Sequence, residues 1–347
     1  MSVRVGITGV SGYGGRELLR LCAGHPGFEV VYVCGDSSAG QRLDAVLPQL
    51  AGHRLGELVI QRFEPAETAG LDLLFASLPT GQSREPLARV PAGVKVVDVG
   101  GDHRFAPGWT YGLTELPGAR REIARAGRVA DPGCYSATSL LALAPLVAGG
   151  VIEPDGIVID AKSGVSGAGR GGGGGYGYAD TNEDVVPYRL LQHDHVPEIQ
   201  EALSRLAAGA EGGWDGGATP PGGRRATVAF SPHLVPLTRG LLATCYGRPA
   251  RTVTSEDVLA VAQAFYEGEP FVRVVETGNG LGVHSKWPTG SNLAFVSYVV
   301  NPQTGLVVAV GATDNLGKGA AGQAVQNANL MTGQPETAGL AGLPLSP

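Results

Sequence analysis

An α/β fold is what the sequence predicts: a doubly wound parallel sheet, joined to an α+β unit on a mostly antiparallel or mixed sheet. Three observations carry it. Short β-branched runs alternate with helical apolar spacing through the first third. The texture changes near residue 150, and glycines cluster where the first strand gives way to the first helix. A length of 347 residues fits about two domains.

Val3–Thr8 alternates Val, Val and Ile with Arg and Gly, then meets a glycine turn. From Ser11 the spacing changes, and Leu18, Leu21 and Cys22 share a helical face. Glu29–Cys34, Leu71–Leu78, Val94–Val99 and Arg128–Ala130 read as further strands. Beyond residue 150 strand candidates lengthen: Gly156–Ala161, Ala226–Phe230, Leu241–Tyr246, Phe271–Val275, Leu293–Val300 and Leu306–Val310. Helices are expected at Val196–Leu206, Glu256–Phe265 and Gly319–Leu330. Gly169–Gly177, almost all glycine, reads as a mobile loop over a site. Ala207–Arg225, rich in Gly, Pro and Ala, reads as a surface excursion with no role in chemistry. No internal repeat is seen.

Composition narrows the function. With 26 basic and 32 acidic residues the net charge is −6, which argues against nucleic acid or an anionic membrane as main partner. No apolar run is long enough to cross a bilayer, and the N-terminus enters a strand pattern at once, so no signal peptide is expected. The 4 cysteines lack a CxxC pair or metal-ligand spacing. Reduced thiols, a cytoplasmic setting and no metal are expected. Glycine is the outlier: 55 residues, about 16% against an ordinary ~7%.

Gly9, Gly12 and Gly15 follow the first strand with GxxGxxG spacing, a Rossmann-type signature. Together with Ser11, Tyr13 and Gly14 they form a turn whose backbone N–H groups can approach a pyrophosphate, at a helix N-terminus that favours anions. After the second strand, Asp36 would suit the ribose hydroxyl of NAD, whereas Ser37, Ser38 and Arg42 would suit the extra phosphate of NADP. The residues point both ways, and the balance leans to NADP.

Ala130–Leu141 is the most informative stretch. Asp131 is a plausible N-cap with Pro132 at the first helical position, which puts Cys134 in the first turn. There the helix dipole favours a thiolate. Lowering a thiol from a pKa of about 8.5 to about 6 raises the ionised fraction at pH 7 from about 3% to about 90%. Cys22, Cys34 and Cys245 sit on apolar faces and read as small core residues. A partner for the thiol is offered by His193-Asp194-His195-Val196-Pro197-Glu198. On an extended segment His193 and His195 would point the same way, and Glu198 could orient an imidazole. His25, His53, His103, His233 and His284 read as surface or structural.

Together these blocks resemble the N-acetyl-γ-glutamyl-phosphate reductase family, relatives of aspartate-semialdehyde dehydrogenase. The resemblance runs through Gly9–Leu19, Ala39–Leu43, Tyr111–Leu116, Pro132–Tyr135, Ser163–Arg170, His193–Ile199, Pro232–Leu242, Gly290–Asn292 and Asp314–Asn327, in order and over nearly the whole chain. Three positions depart from the family pattern. His103 stands where an aromatic is usual, Thr80 replaces a histidine after Leu78-Pro79, and Asp194 replaces an arginine between the histidines. The last change places an anion beside the base and predicts a raised histidine pKa.

The resemblance implies a chemistry. The Cys134 thiolate attacks an acyl phosphate, phosphate leaves, and NADPH reduces the resulting thioester to a semialdehyde. It assigns proton handling to His195, with His193 as the alternative. It places Pro79, Ser166, Gly167 and Asn315 beside the cofactor, and Arg104, Arg170, Tyr188 and Glu198 beside the small-molecule acyl phosphate. The last helix is expected to return to the first unit, giving a cofactor domain of residues 1–133 and 313–347 around a catalytic and oligomerisation domain of residues 134–312. Homodimers or homotetramers are implied. Two rival readings are a carrier-linked aminoadipyl-phosphate reductase and a dinucleotide sensor that lost catalysis. The first would want a basic docking surface that this chain lacks. Retention of Cys134 with both histidines speaks against the second.

Overall fold

The computed structural model describes residues 2–170, 178–217, 224–276 and 282–345. Its first sheet has six parallel strands, β1 (Val3–Ile7), β2 (Phe28–Val33), β3 (Leu73–Ala76), β4 (Lys95–Asp98), β5 (Thr110–Tyr111) and β6 (Arg128–Ala130), in the order β2-β1-β3-β4-β6-β5. The chain leaves β1 for β2 on one side and for β3 on the other. That reversal opens a crevice at the strands' carboxyl ends. Helices α1 (Tyr13–Ala23), α2 (Leu43–Val46), α3 (Arg84–Ala88) and α4 (Ala119–Arg125) connect the strands. The expected strands are all present. Only the two-residue β5 was not legible, being too short to leave a pattern.

The second sheet is mixed, in the order β11-β12-β13-β10-β7-β9-β8. Its strands are β7 (Ile157–Gly164), β8 (Val186–Pro187), β9 (Val228–Val235), β10 (Leu241–Gly247), β11 (Val272–Val274), β12 (Ala294–Val300) and β13 (Val307–Thr313). β9 runs past the expected end at Phe230 and through Pro232. The Pro232 carbonyl accepts from Tyr188 N–H on β8's side, so the missing proline N–H faces the short edge strand, where little is lost. Register alternates the faces. Val158, Tyr246, Val308 and Val299 form one cross-sheet row, and Ile159, Cys245, Ala309 and Tyr298 form the neighbouring row on the opposite face. The second row is buried, whereas Val158 and Val299 are exposed.

Helix α5 (Cys134–Ala148) lies on that buried face. It is apolar around its circumference, as a helix enclosed on all sides must be. Pro145 lacks the N–H that would bond the Leu141 carbonyl, and the Tyr266 hydroxyl donates to that carbonyl instead at 2.6 Å. The remaining helices are α6 (Tyr178–Thr181), α7 (His195–Ala207), α8 (Ser255–Phe265) and α9 (Gly322–Thr332). α9 packs against α1 and α4, beside the first sheet. The helix expected from Gly319 is preceded by a π-turn over Gly317–Ala321. There the backbone presses on Cys134: a Cβ at Gly319 would lie 2.9 Å from the Cys134 Cβ.

Ion pairs tie the two sheets' units together. Arg239 donates to Glu17 of α1 and to Asp314, and Arg120 of α4 pairs with Glu269 and Glu336. Lys318 is fully buried against the Glu115 carboxylate and the Gln326 side-chain oxygen. The insert departs from its reading as a surface excursion. Within its described part, Trp214 is completely buried among first-unit residues. Residues 171–177, expected as a mobile loop, lie outside the described residues, as do 218–223 of the insert.

Candidate active site

The turn after β1 is shaped by close backbone contact. Gly9 has φ +68°, and a Cβ there would lie 2.0 Å from the Ser77 carbonyl oxygen; one at Gly15 would lie 2.2 Å from the Gly9 carbonyl oxygen. Only glycine allows β1, the turn and α1 to close this tightly. The N-cap, Gly12, offers no side-chain acceptor, so the first N–H groups of α1 remain for an anion. These features fit a dinucleotide pyrophosphate. Arg170 donates to the Ser11 carbonyl across the turn.

From this turn a cleft of about 540 Å³ runs past Pro79, Thr80, Ser166, Gly167 and Asn315 to Cys134, His195, Arg104 and Arg170. Sequence positions more than 300 apart are thus brought together. Asn315 is held at both ends of its amide, donating to Ser166 Oγ at 2.9 Å and accepting from Gly240 N–H. A larger cavity of about 790 Å³ lies beyond Tyr13, but it contains neither Cys134 nor either candidate histidine. The smaller cleft is the one with chemistry in it.

Cys134 is the first residue of α5, with Gly133 as N-cap. The helix therefore starts later than the Asp131-Pro132 pattern suggested. Asp131 is buried, and its Oδ1 accepts from Asn327 rather than capping the helix. Burial raises the Asp131 pKa well above the usual carboxylate value, against the opposing pull of Arg104 and Lys318. The ionisation of Cys134 also departs from expectation. Burial pushes the Cys134 thiol up to about 11, although Arg104 and the helix's first N–H groups pull it down. Desolvation outweighs the dipole, and the thiol is protonated at neutral pH.

The histidines meet through a turn, not an extended segment. Asp194 has helical dihedrals, and His195 opens α7. Their ring centroids are 4.5 Å apart, and His193 Nδ1 accepts the His195 backbone N–H at 3.1 Å. The His195 imidazole lies directly on Gly133, where an ideal Cβ would come within 2.2 Å of Nε2. His195 lines the cleft with Cys134; His193 instead lines an adjoining polar cavity of about 610 Å³. The raised histidine pKa expected from Asp194 is not found. Asp194 is taken by Arg189 in an ion pair, and the guanidinium's downward pull on His193 exceeds the upward pull of the carboxylate. Burial, with Arg189 adding to it, lowers His193 to about 4. Burial and then Arg104 lower His195 well below its ordinary value.

The carboxylate of Glu198, three residues after His195, is bonded by backbone and side chains of the scaffold, and among the described residues no imidazole is among its partners. Its Oε1 accepts from the Tyr111 hydroxyl at 2.7 Å and from Gly133 N–H at 3.0 Å, and its Oε2 pairs with Arg104 at 3.3 Å. Arg104 also donates to the Asp131 carbonyl. The N-termini of α5 and α7 are therefore locked together, with one guanidinium between them. Such an arrangement can carry a thiol nucleophile, a neutral imidazole and a positive potential for developing anions.

Known proteins resemble this chain over its whole length. The model described as "Semialdehyde dehydrogenase, NAD binding domain" matches residues 4–126, and "Semialdehyde dehydrogenase, dimerisation domain" matches residues 134–315. The N-acetyl-gamma-glutamyl-phosphate reductase of Bradyrhizobium sp. strain BTAi1 is 55% identical over 100% of both chains. That of Salinispora arenicola is 44% identical over the same full span, and that of Moorella thermoacetica 39% identical over 97% of this chain and 98% of its own. The chain belongs to the N-acetyl-γ-glutamyl-phosphate reductase family. The fold is shared with an aspartate semialdehyde dehydrogenase with NADP from Candida albicans, at a TM-score of 0.75 and 17% identity over 95% and 98% of the two chains.

Some residues expected to serve the reductase site lie outside its cleft. Ser37 and Ser38 form a short 3₁₀ turn after β2, Ser38 buried, and Arg42 is spent in an exposed pair with Asp44 at 2.7 Å. Tyr188 stands one layer back, donating to the Tyr135 hydroxyl, which in turn donates to the His233 carbonyl. Arg170 does line the cleft, but it bonds the glycine turn through the Ser11 carbonyl. Sequence reasoning overlooked Arg16, one turn into α1, whose Nε is buried without a hydrogen-bond partner among the described residues. A cation at the start of the helix after a glycine turn was the available signal. Tyr111 was quoted only within a motif, and its role depends wholly on Glu198.

Proposed function

We propose that this chain reduces N-acetyl-γ-glutamyl phosphate with NADPH to N-acetylglutamate 5-semialdehyde and phosphate, a step of arginine biosynthesis, through a thioester on Cys134. The observation that carries the reading is the seating of His195 on Gly133, immediately before Cys134, at the end of a cleft that begins at the glycine turn. Relatives of 55% identity over the full length bear the same activity in their names.

Cys134 Sγ forms the bond to the acyl carbon as the carbon–oxygen bond to phosphate breaks. Because burial holds the thiol protonated, its proton must leave as attack proceeds, and the neutral His195 imidazole, which shares the cleft with Cys134, takes it. Arg104 and the two helix N-termini stabilise negative charge on the acyl oxygen and the departing phosphate. Bound along the cleft, a nicotinamide dinucleotide supplies the hydride that brings the acyl group to the aldehyde level. His195 then gives its proton to the oxyanion and takes one back as sulfur leaves. Asn315, Ser166 and Gly167 line the cleft and would bear on a bound cofactor's nicotinamide, while Arg170, and Arg16 one turn into α1, would serve its phosphates.

In this reading residues 1–133 and 313–347 form the cofactor-binding unit and residues 134–312 the catalytic one, supported by the packing of α9 on α1 and α4. The open face of the second sheet, with Val158 and Val299 exposed, is the surface through which copies pair as dimers or tetramers. Among the described residues no helix is long and apolar enough to cross a membrane. We place the reaction in the cytoplasm, in keeping with relatives named N-acetyl-gamma-glutamyl-phosphate reductase.

The test is the reverse reaction: N-acetylglutamate semialdehyde, phosphate and NADP⁺, followed by NADPH absorbance, with NAD⁺ and an aminoadipate semialdehyde in parallel. A phosphate-dependent rate with the acetylated glutamate substrate and NADP⁺ is expected. Activity only on the aminoadipate compound, or cofactor binding without turnover, would overturn the reading.

A further inference from the structure

The insert reaches the nucleophile through a continuous set of contacts. From α7 it crosses to the first unit, where Glu122 of α4 accepts from the backbone N–H groups of Gly213 and Trp214 at 2.6 and 2.8 Å. The Trp214 indole N–H donates to the Pro117 carbonyl at 2.8 Å, and the side chain is completely buried. Arg205 clasps the insert from α7, donating to the Gly213 and Gly217 carbonyls while its guanidinium lies over Phe105. The Trp214 carbonyl accepts the Tyr111 backbone N–H at 2.7 Å, and its ring lies 6.4 Å from the Tyr111 ring. Phe105 stacks on Tyr111 from another side, at 4.4 Å. Phe105 has φ +56°, a conformation unfavourable for an aromatic residue that needs surrounding packing to hold it. Tyr111 then donates to Glu198, which secures Gly133 N–H and Arg104.

We infer that Trp214 is a positioning residue for the reaction: by seating Tyr111 it fixes Glu198, and through Glu198 the relative placement of Cys134, His195 and Arg104. The inference rests on the activity proposed above. A surface excursion would need no buried tryptophan, no paired N–H groups at Glu122 and no bond to the edge strand β5. The insert supplies all of these although none of its described residues lines the cleft. Glu198 sits in the first turn of α7 and bonds the N-cap of α5, so small shifts in Tyr111 reach the reacting atoms by a direct route. A displacement near 1 Å is enough to cost about a hundredfold in rate.

The experiment compares Trp214→Ala, Trp214→Phe, Tyr111→Phe and the Trp214→Ala/Tyr111→Phe double variant. Trp214→Ala is expected to lower kcat by about tenfold or more, with the NADPH Kd changed less than about twofold and Trp214→Phe restoring most of the rate. Because both residues act through Glu198, the double variant should be about as slow as the slower single one. Cys134 alkylation by iodoacetamide should quicken in Trp214→Ala, since loosening the helix starts exposes the thiol. Unchanged kcat and alkylation, or multiplying effects in the double variant, would overturn the inference. If Trp214→Ala does not fold, Glu122→Ala unseats the insert from its other side and must show the same selective loss of kcat. Alkylation and NADPH binding need no turnover. A wild-type chain inactive in the reverse reaction therefore refutes the proposed function, while these two readouts still decide the role of Trp214.

Discussion

Gly133→Ala separates placement of the base from everything else in the site. Gly133 has φ −67° and ψ 149°, a conformation open to any residue, so alanine brings no backbone strain. Its Cβ would meet His195 Nε2 at 2.2 Å and the two adjoining ring carbons at 2.6 Å. Ordinary contact requires about 3.4 Å or more, so the ring must retreat by about 1 Å. Behind it stand His193 and Tyr135, with centroids 4.5 and 6.0 Å away, which leave little freedom except rotation away from Cys134. A misplacement of this size costs about a hundredfold in rate, or about 2.7 kcal/mol of transition-state stabilisation. The glycine turn is untouched, so dinucleotide affinity should hold. The assay is the reverse reaction under saturating NADP⁺, with NADPH binding followed separately by fluorescence. Activity within about threefold of wild type would show that His195 does not act from this position. So would a loss matched by an equal loss of cofactor affinity.

Because burial pushes the Cys134 thiol up to about 11, the ligand-free thiol should react with iodoacetamide about tenfold faster for each pH unit between about 7 and 9. A plateau near pH 6 or 7 would instead reveal a thiolate and contradict the burial argument. Lys318→Met strands the buried Glu115 carboxylate, and urea unfolding should report a loss of about 3–5 kcal/mol, most of it recovered by adding Glu115→Gln. Equal stability of the single variant would refute the pairing as a folding constraint. Arg16→Met removes the cation beside the glycine turn. It should weaken NADPH and NADH alike by about tenfold, since both carry the pyrophosphate; a change confined to NADPH would place Arg16 at the 2′-phosphate.

Much of this protein was legible before any coordinates. Periodicity located the strands of both sheets except the two-residue β5 and β8, because a strand that buries one or both faces must repeat its apolar residues at fixed spacing. The glycine turn was equally plain, since only glycine permits the contact between Gly9 and Ser77. Cys134 stood out because a proline and a glycine just before an apolar run mark a helix start. Other features left no local trace. Glu198 had every appearance of an ordinary first-turn acid, yet its partners Tyr111, Arg104 and Gly133 come from three distant segments. Asp194 suggested a charge beside the histidines until Arg189 was found to outweigh it.

Ionisation and contact across the chain belong to tertiary structure. The sequence determined the fold class, the place of the glycine turn and the position of Cys134 at a helix start, because each depends on residues adjacent in the chain. Whether Cys134 is charged, which histidine faces it, and what Trp214 holds in place depend on burial and on groups far away in sequence. Desolvation is a property of the assembled interior, and no stretch of sequence carries it alone.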